Sequence, residues 1–268
     1  MFQRKIPTKD APPVPRKKGI RRFFQVLARD LGNVMANSIL HSLTSLPMWI
    51  CGFVAVLFLD SGEVILFGMA FLAALLMSLL AIPGQAASYH AMSRSLQDNP
   101  HFFLYSWRRA FAKSFKKTAL LGLVGVGFTL VQVITLYIVW TGEGGLAMEA
   151  PFFAVALAFL ILIHAFAPYY FLQAAYLDLK KRDMLKNSAK LMLSSPNAAF
   201  GGGLFAFAML FFLLVGFFPI SIPPALIILI GVFALGHAQM VWPVVNRAFG
   251  IEEKEIQRRA ETQEKETK

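Results

Sequence analysis

Three histidines are the residues of the apolar segments that could bind a metal ion or relay a proton. His41, His164 and His237 each lie inside a long apolar run, and imidazole both titrates near neutral pH and ligates metals. A lone histidine in a membrane span more often hydrogen-bonds a neighbouring helix. We therefore predict structural roles for the three and no metal site, unless the fold brings them together.

A polar face accompanies His41 in the first apolar segment. It is formed by Asn37, Ser38, Ser42, Thr44 and Ser45, and lipid penalises such groups when they are unpaired. This face should therefore point into a helix bundle or a water-filled cavity. The polar residues that we predict inside the membrane are Asn37, His41, Thr44, Gln132, His164, His237 and Gln239.

A basic and aromatic stretch lies between two apolar segments. Trp107, Phe111 and Phe115 recur at four-residue spacing, which places them on one helical face. This pattern predicts an amphipathic helix suited to a partner protein, or else a cytoplasmic loop held by anionic lipid. A second basic segment follows the fourth apolar run. The predicted partner-contact residues are Trp107, Arg108, Arg109, Phe111, Lys113, Phe115, Lys116, Lys117, Lys180, Lys181 and Arg182.

The sequence lacks the usual signatures of catalysis and of ion-coupled transport. No Asp, Glu, Lys or Arg falls well inside an apolar segment, whereas ion-coupled carriers usually keep such a group near the midplane of the membrane. There is no phosphate-binding glycine loop with lysine, no HExxH and no nucleophile elbow. We predict that the protein is not an enzyme and needs no cofactor.

Composition indicates an integral membrane protein. Of the 268 residues, 57% are hydrophobic and only 15% are charged, against roughly a quarter charged in soluble domains. The net charge of +11 could suggest nucleic acid, but the basic residues lie in the gaps between apolar runs, which a membrane explains more simply. Cys51 is the single cysteine, so an intramolecular disulfide is excluded.

Six apolar segments are near or above the length of about 20 residues that spans a bilayer. They are 34–59, 64–82, 118–140, 152–176, 198–218 and 222–242. The first is interrupted by Pro47. We predict an all-α polytopic bundle with three parts: a basic arm and interfacial helix (1–33), a six-span domain (34–247) with cytoplasmic loops 84–117 and 177–197, and a charged tail (248–268) expected to fray. We expect no cleavable signal peptide, because a long polar stretch precedes the first apolar segment.

The distribution of cations predicts the orientation. All 26 Lys and Arg residues lie in the N-terminal arm, the two basic loops and the C-terminal tail, whereas the other three loops carry only Asp60, Glu63, Glu143 and Glu149. The positive-inside rule therefore places both termini and both basic loops in the cytoplasm. Two termini on the same side of the membrane require an even number of spans, and six spans satisfy this.

Three short motifs resemble the YesL family of bacterial membrane proteins, a group of unknown function. Pro83-Gly84-Gln85-Ala86-Ala87-Ser88-Tyr89 is similar to a Pro-small-x-Ala-Ala-x-Tyr segment of the family. Lys113-Ser114-Phe115-Lys116 matches a Lys-Asn-Phe-Lys motif with Ser in place of Asn, and Leu185-Lys186-Asn187-Ser188 matches a third element. The resemblance implies association with carbohydrate ABC importers in the cell membrane of Gram-positive bacteria, and it implies no catalytic residues.

These observations lead to two main functional hypotheses. The first is a non-catalytic accessory subunit that contacts the permease or ATPase of a carbohydrate ABC importer through its basic loops. The second is a small transporter or channel for a neutral solute that uses the polar face of the first span and the histidines. A lipid-sensing or scaffold protein is a third reading, and self-association is compatible with all of them. We expect the lipid bilayer as a partner and no nucleic acid.

Overall fold

The computed structural model describes residues 16–98, 102–141, 146–211 and 225–266. Every regular element in these ranges is helical, which confirms the predicted all-α class there. The helices are α1 (Gly19–Arg29), α2 (Leu31–Asp60), α3 (Val64–Leu96), α4 (Phe103–Thr141), α5 (Leu146–Tyr176), α6 (Lys181–Ser194), α7 (Pro196–Phe211), α8 (Ile230–Phe249) and α9 (Ile251–Glu266). A π-helical turn, Ala225–Leu229, leads into α8.

Five segments of the described ranges are long and apolar enough to cross a membrane. They are Leu31–Asp60, Val64–Leu96, Phe103–Leu136, Ala150–Tyr176 and Ile227–Phe249. They correspond to five of the six predicted spans. The remaining one, 198–218, lies partly outside the described residues, and α7 accounts for its first part. The chain is thus a helical protein with five candidate spans, and the sixth stays a prediction.

The helix α3 is the centre of the bundle, because it contacts α2, α4, α5 and α8. Its first half exposes large apolar residues such as Ile65 and Met69, as expected of a surface that faces lipid. Its second half is buried on nearly all sides, from Ala81 to Leu96. Alanine, serine and glycine predominate there, and such small side chains let neighbouring backbones approach closely.

The segment 84–117 is almost entirely helical, in contrast to the predicted loop. The helix α3 continues through Pro83 to Leu96, and α4 begins at Phe103. The predicted amphipathic helix and the third span are therefore one helix of 39 residues. At 1.5 Å per residue it is about 58 Å long, almost twice the thickness of about 30 Å of a hydrocarbon core. Pro47 likewise does not end α2.

The segment 177–197 also folds as a helix for most of its length. The helix α6 buries Met184, Ser188 and Met192, and the Gln173 amide of α5 donates to Ser188 Oγ at 2.8 Å. The helix α6 therefore packs on the end of α5. The helix α7 follows after a break at Ser195 and packs against α5 and α8.

Both ends of the described chain are attached to the bundle. The helix α1 contacts α2 and α8. The tail forms α9 up to Glu266, so the expectation that it frays is wrong over this range. Its first turn is held by Ile251, which is buried, and by the Glu252 backbone N–H, which donates to Asn246 Oδ1 at 2.9 Å. Gly250, with φ 58°, makes the turn between α8 and α9.

Candidate functional site

The buried half of α3 places a row of polar side chains at the bundle centre. At the start of this half, the Cα of Gly84 lies so close to the Thr44 side chain that a Cβ on residue 84 would overlap it. One turn further, Ser88 Oγ lies 3.3 Å from His41 Nδ1 and donates to its own helix at Gly84 O. The polar face predicted on α2 therefore does point into the bundle, where it meets α3.

His237 is completely buried and pairs with α3. Its Nδ1 lies 2.8 Å from the hydroxyl of Tyr89. The other nitrogen, Nε2, has no hydrogen-bond partner among the described residues. The Cα of Gly202 on α7 faces this side of the ring, where a Cβ would lie 2.6 Å from Nε2. His237 thus ties α8 to α3 and leaves space only for glycine on α7.

His41 and His164 share one cavity of about 490 Å³. The lining includes Ile82 and Gln85 of α3, residues of α2, α4 and α5, and Met192 of α6. His164 Nδ1 also lies 2.8 Å from Leu160 O on its own helix. His237 does not line the cavity, but it lies within electrostatic range of His164, so the cavity itself contains two of the three histidines. No group of three potential metal ligands occurs within the described ranges.

The other predicted intramembrane polar residues have varied surroundings. Asn37 is completely buried, and both polar atoms of its amide lack a partner in the described part of the chain. Thr44 Oγ1 donates to carbonyls of its own helix, at His41 and Leu40. Gln132 is half-buried on α4. Gln239 Nε2 donates to Gly19 O at 2.8 Å, which fastens the start of α1 to α8.

The aromatic residues of α4 form a stack that faces the core rather than the outside. The rings of Trp107 and Phe111 are stacked with centroids 5.4 Å apart, and Phe115 continues the row at 6.0 Å. Trp107 is only 6% exposed. Trp107 is therefore a core residue of this chain, and the partner-contact prediction rests on the basic residues beside it.

The predicted basic residues fall into two groups. Lys113 Nζ donates to Tyr176 O at 3.1 Å, and Lys117 Nζ pairs with Asp178 at 2.9 Å, so both bind the end of α5. The second group is exposed and makes no ion pair with any described residue. It consists of Arg108, Arg109 and Lys116 on α4 and of Lys180, Lys181 and Arg182 at the start of α6.

An arginine cluster at the end of α3 is a feature that sequence reasoning missed. Three arginines converge on the Asp98 carboxylate: Arg16 at 3.1 Å, Arg22 at 2.7 Å, and Arg29. Arg16 also pairs with Glu252 of α9 at 3.0 Å. The spacing of Arg22 and Arg29, two turns apart on α1, could have indicated a common partner, but nothing in the sequence points to Asp98.

The electrostatics of this cluster depend on the ionised state of Asp98. Partial burial acts to raise the pKa of Asp98, but the hydrogen bonds and charges of Arg22 and Arg29 outweigh it and hold this pKa below its usual value. The hydrogen bond from Lys117 likewise lowers the pKa of the exposed Asp178. Both carboxylates are therefore charged at neutral pH, and their arginine and lysine partners stay bound.

Contacts of the cluster gather four segments at one end of the bundle. Arg22 of α1 also donates to Leu96 O at the end of α3, and Arg94 of α3 pairs with Glu255 of α9 at 2.8 Å. The hydroxyl of Tyr176, the last residue of α5, accepts from Gln97 Nε2 at 3.0 Å and shares a hydrogen bond with Ser93 Oγ at 2.8 Å. We call these four segments, α1, the ends of α3 and α5, and α9, together with the first half of α4, whose Lys113 and Lys117 bind the end of α5, the basic end.

Fold and site together define a multi-pass helical membrane protein with a polar centre and a basic end. Comparisons with protein-family models, with curated proteins and with solved structures found no match. The resemblance to the YesL family therefore stays a prediction.

Proposed function

We propose that the protein is a non-catalytic accessory subunit of a membrane assembly and contacts its partner through the exposed cations of the basic end. The resemblance of its short motifs to the YesL family suggests the permease or ATPase of a carbohydrate ABC importer as that partner. The observation that carries the proposal is the outward face of the first half of α4, where Leu104, Tyr105, Arg108 and Arg109 are exposed.

The cations on this face are available to a partner. Arg108 and Arg109 make no ion pair within the described ranges, unlike Lys117, which Asp178 neutralises. Exposed large apolar residues lie next to them, with Phe102 at 88% and Tyr105 at 67% exposure. A mixed apolar and cationic surface suits an acidic protein surface with apolar pockets, because aromatic and arginine side chains supply most of the energy of such contacts.

The position of this face along α4 favours protein over lipid. If the hydrocarbon core begins at Thr118, directly after the last basic residue of α4, Phe103 is 15 residues further out. That separation is about 22 Å along a helix, whereas headgroups add only about 5–8 Å on each side of the core. The tip of α4 would therefore extend beyond the headgroups into the cytoplasm, where a soluble ATPase or a cytoplasmic loop of a permease can bind it.

The orientation is part of the proposal. Contacts between α1, α3 and α9 put both described ends of the chain at the basic end, which supports an even number of spans. The positive-inside rule then favours a cytoplasmic location for this end in a bacterial cell membrane.

Charge reversal tests the contact directly. Arg108→Glu with Arg109→Glu should release the partner, and mild-detergent pull-down with mass spectrometry should show loss of permease and ATPase subunits. The matched control is Lys17→Glu with Lys18→Glu, which makes the same charge change at two exposed residues near the same end. Retention of the partners by the Arg108/Arg109 variant, or equal loss in both variants, would overturn the proposal.

The cavity favours a second candidate, transport of a neutral solute by the protein alone. His41 and Gln85 offer hydrogen-bonding groups inside a largely apolar bundle. Flux of a neutral sugar into vesicles that contain only the purified protein, and its loss in His41→Ala, would support this candidate. Vesicles that stay impermeable would eliminate it and leave the accessory role.

A further inference from the structure

We propose that the cavity beside His41 binds one chain of an amphipathic lipid that enters from the bilayer. The inference does not depend on the accessory role, because a lipid site can serve a carrier or a structural subunit equally. The volume of about 490 Å³ lies within the usual range of about 300–1,000 Å³ for ligand sites.

The mouth of the cavity faces lipid. Trp49, Val124 and Phe128 line the cavity and are also among the exposed large apolar residues, with Val124 at 62% exposure. All three belong to candidate spans. Residues that line a cavity and face outwards within a span mark an opening toward the acyl chains, so an occupant can enter laterally without crossing water.

One end of the cavity is polar and lies near the headgroup level of the basic end. Tyr170, which lines the cavity, donates from its hydroxyl to Lys117 O at 2.8 Å. Lys117 is the last cation before the apolar part of α4. Ile82 of α3 packs on Gly122 of α4, which lies one turn beyond Lys117. Gln85 and Ser88 follow Ile82 on α3 and are therefore closer to the basic end. His41 contacts Ser88, so His41 and Gln85 lie at the same end of the cavity.

The polar end offers a free hydrogen-bonding group. The side-chain amide of Gln85 lines the cavity and has no partner within the described ranges. Gln85 is half-buried, so its amide is open to a ligand or water group that enters the cavity. The other lining segments, 124–130 and 162–166, are mostly apolar, and their polar side chains, Thr129 and His164, already bond to carbonyls of their own helices. A polar end near the headgroups and an apolar end toward the midplane match the layout of a lipid.

The shared chemistry is an acyl chain with a carbonyl, carboxyl or hydroxyl group at its head. It can come from a free fatty acid or from a phospholipid of the bilayer. Two probes separate these sources: palmitic acid with a diazirine in its chain, and phosphatidylglycerol with the same diazirine-bearing chain. Each is reconstituted with the full-length protein, irradiated, and its cross-links are mapped by mass spectrometry.

Gly125 allows the cavity to be filled without disturbing the helix packing. It lines the cavity, and a Cβ built there has no neighbour within 4 Å. Gly125→Leu should therefore fold normally and reduce cross-links to the lining residues at least about tenfold, because its side chain would occupy the space of the ligand; a tenfold loss corresponds to about 1.4 kcal/mol of binding free energy. Gly68→Leu is the matched control, since Gly68 is also helical, has no neighbour within 4 Å of its Cβ position, and lies outside the cavity.

A second variant tests the polar end separately. Gln85→Leu preserves the side-chain size but removes the amide, and it should weaken labelling about fivefold, as expected for loss of about one hydrogen bond. The proposal is supported if labelling concentrates on the lining residues and falls in both variants. The probe that gives this labelling identifies whether the bound chain belongs to a fatty acid or to a phospholipid. Labelling spread over exposed residues such as Met69, or unchanged in Gly125→Leu, would overturn the proposal.

Discussion

At the scale of single residues, glycines adjacent to polar side chains decide how the bundle closes. Gly202 faces the buried ring of His237, which Tyr89 holds from the other side. Because of this hydrogen bond, the imidazole ring cannot move away from a side chain at position 202 without a cost in free energy. The neighbouring Gly201 has no atom within 4 Å of its Cβ position, so the two adjacent glycines provide a test of the packing.

We predict that Gly202→Ala destabilises the protein by about 1–3 kcal/mol, the usual cost of overpacking. Gly201→Ala should be neutral or slightly stabilising, because alanine is the better helix former. Thermal unfolding in detergent, followed by circular dichroism, measures both. Equal melting temperatures for the two variants would show that α7 does not pack on His237 as described.

Asp98 gives a pH-dependent prediction. Its pKa in the folded protein is lowered by Arg22 and Arg29, so its stabilising contribution is present above the unfolded pKa and is lost as the pH falls through the lowered folded pKa. Asp98→Asn removes the charge and keeps a side chain that tolerates the local φ of 60°. The variant should melt lower than the wild type at neutral pH.

The difference in melting temperature should shrink as the pH falls below the usual carboxyl range, where the wild-type carboxylate is also protonated. Glu253→Gln is the control, because Glu253 is exposed and makes no ion pair among the described residues. A difference between wild type and Asp98→Asn that stays constant from neutral to strongly acidic pH would contradict the role assigned to Asp98.

At the scale of elements, α9 is attached to the rest of the protein in part by charged side chains. Its Glu252 accepts from Arg16 and from Trp242 Nε1, and its Glu255 pairs with Arg94. We predict that Glu252→Ala with Glu255→Ala loosens α9 and raises its amide hydrogen exchange about fivefold, as expected for loss of two weak ion pairs.

Exchange in α5 and in the first half of α3 should stay unchanged in this double variant, since these parts do not bond to Glu252 or Glu255. Glu253→Ala serves as the control for helix propensity and charge. If the double variant and the control exchange alike, α9 is held by something other than these two carboxylates.

The elements also show how far the sequence could predict the fold. Apolar runs identified five long helices correctly, because burial in lipid requires continuous hydrophobicity. The runs could not predict that α3 and α4 continue past Ile82 and before Thr118, since those extensions are stabilised by contacts with α1, α5 and α8 rather than by their own composition. Trp107 is a similar case: its spacing predicted a helical face, but not that this face is turned toward the core.

The polar residues at the bundle centre were predictable from the sequence only in part. The polar face of α2 was correctly expected to point inwards, because unpaired polar groups cannot face lipid. The pairing of His41 with Ser88 and of His237 with Tyr89 was not predictable, since hydrogen-bond partners between helices depend on register and rotation. Asp98 was overlooked because a lone carboxylate in a basic segment has no local signature.

At the scale of the whole molecule, we predict that both ends of the chain lie on the same side of the membrane, because both belong to the basic end. In a Cys51→Ser background, cysteines introduced at Lys18 and Lys254 should both resist a membrane-impermeant thiol reagent in intact cells. A cysteine at Ser61, in the short turn between α2 and α3, should react, because that turn lies at the opposite end. All three positions are exposed.

Permeabilised cells provide the control, in which all three cysteines should react. Different behaviour of Lys18→Cys and Lys254→Cys in intact cells would contradict an even number of spans. It would also contradict the proximity of the two ends that the Arg16–Glu252 pair requires.

The pairing of Arg16 with Glu252 joins residues 236 positions apart, and this separation has a consequence for biosynthesis. A ribosome must translate every span before Glu252 emerges, so Arg16 completes its contacts only after the last helix has entered the membrane. Until then the basic end lacks the ion pair between Arg16 and Glu252. A chain that stops before Glu252 would lack this pair, and Arg16 would keep only its contacts with Asp98 and the Gln97 carbonyl at the end of α3.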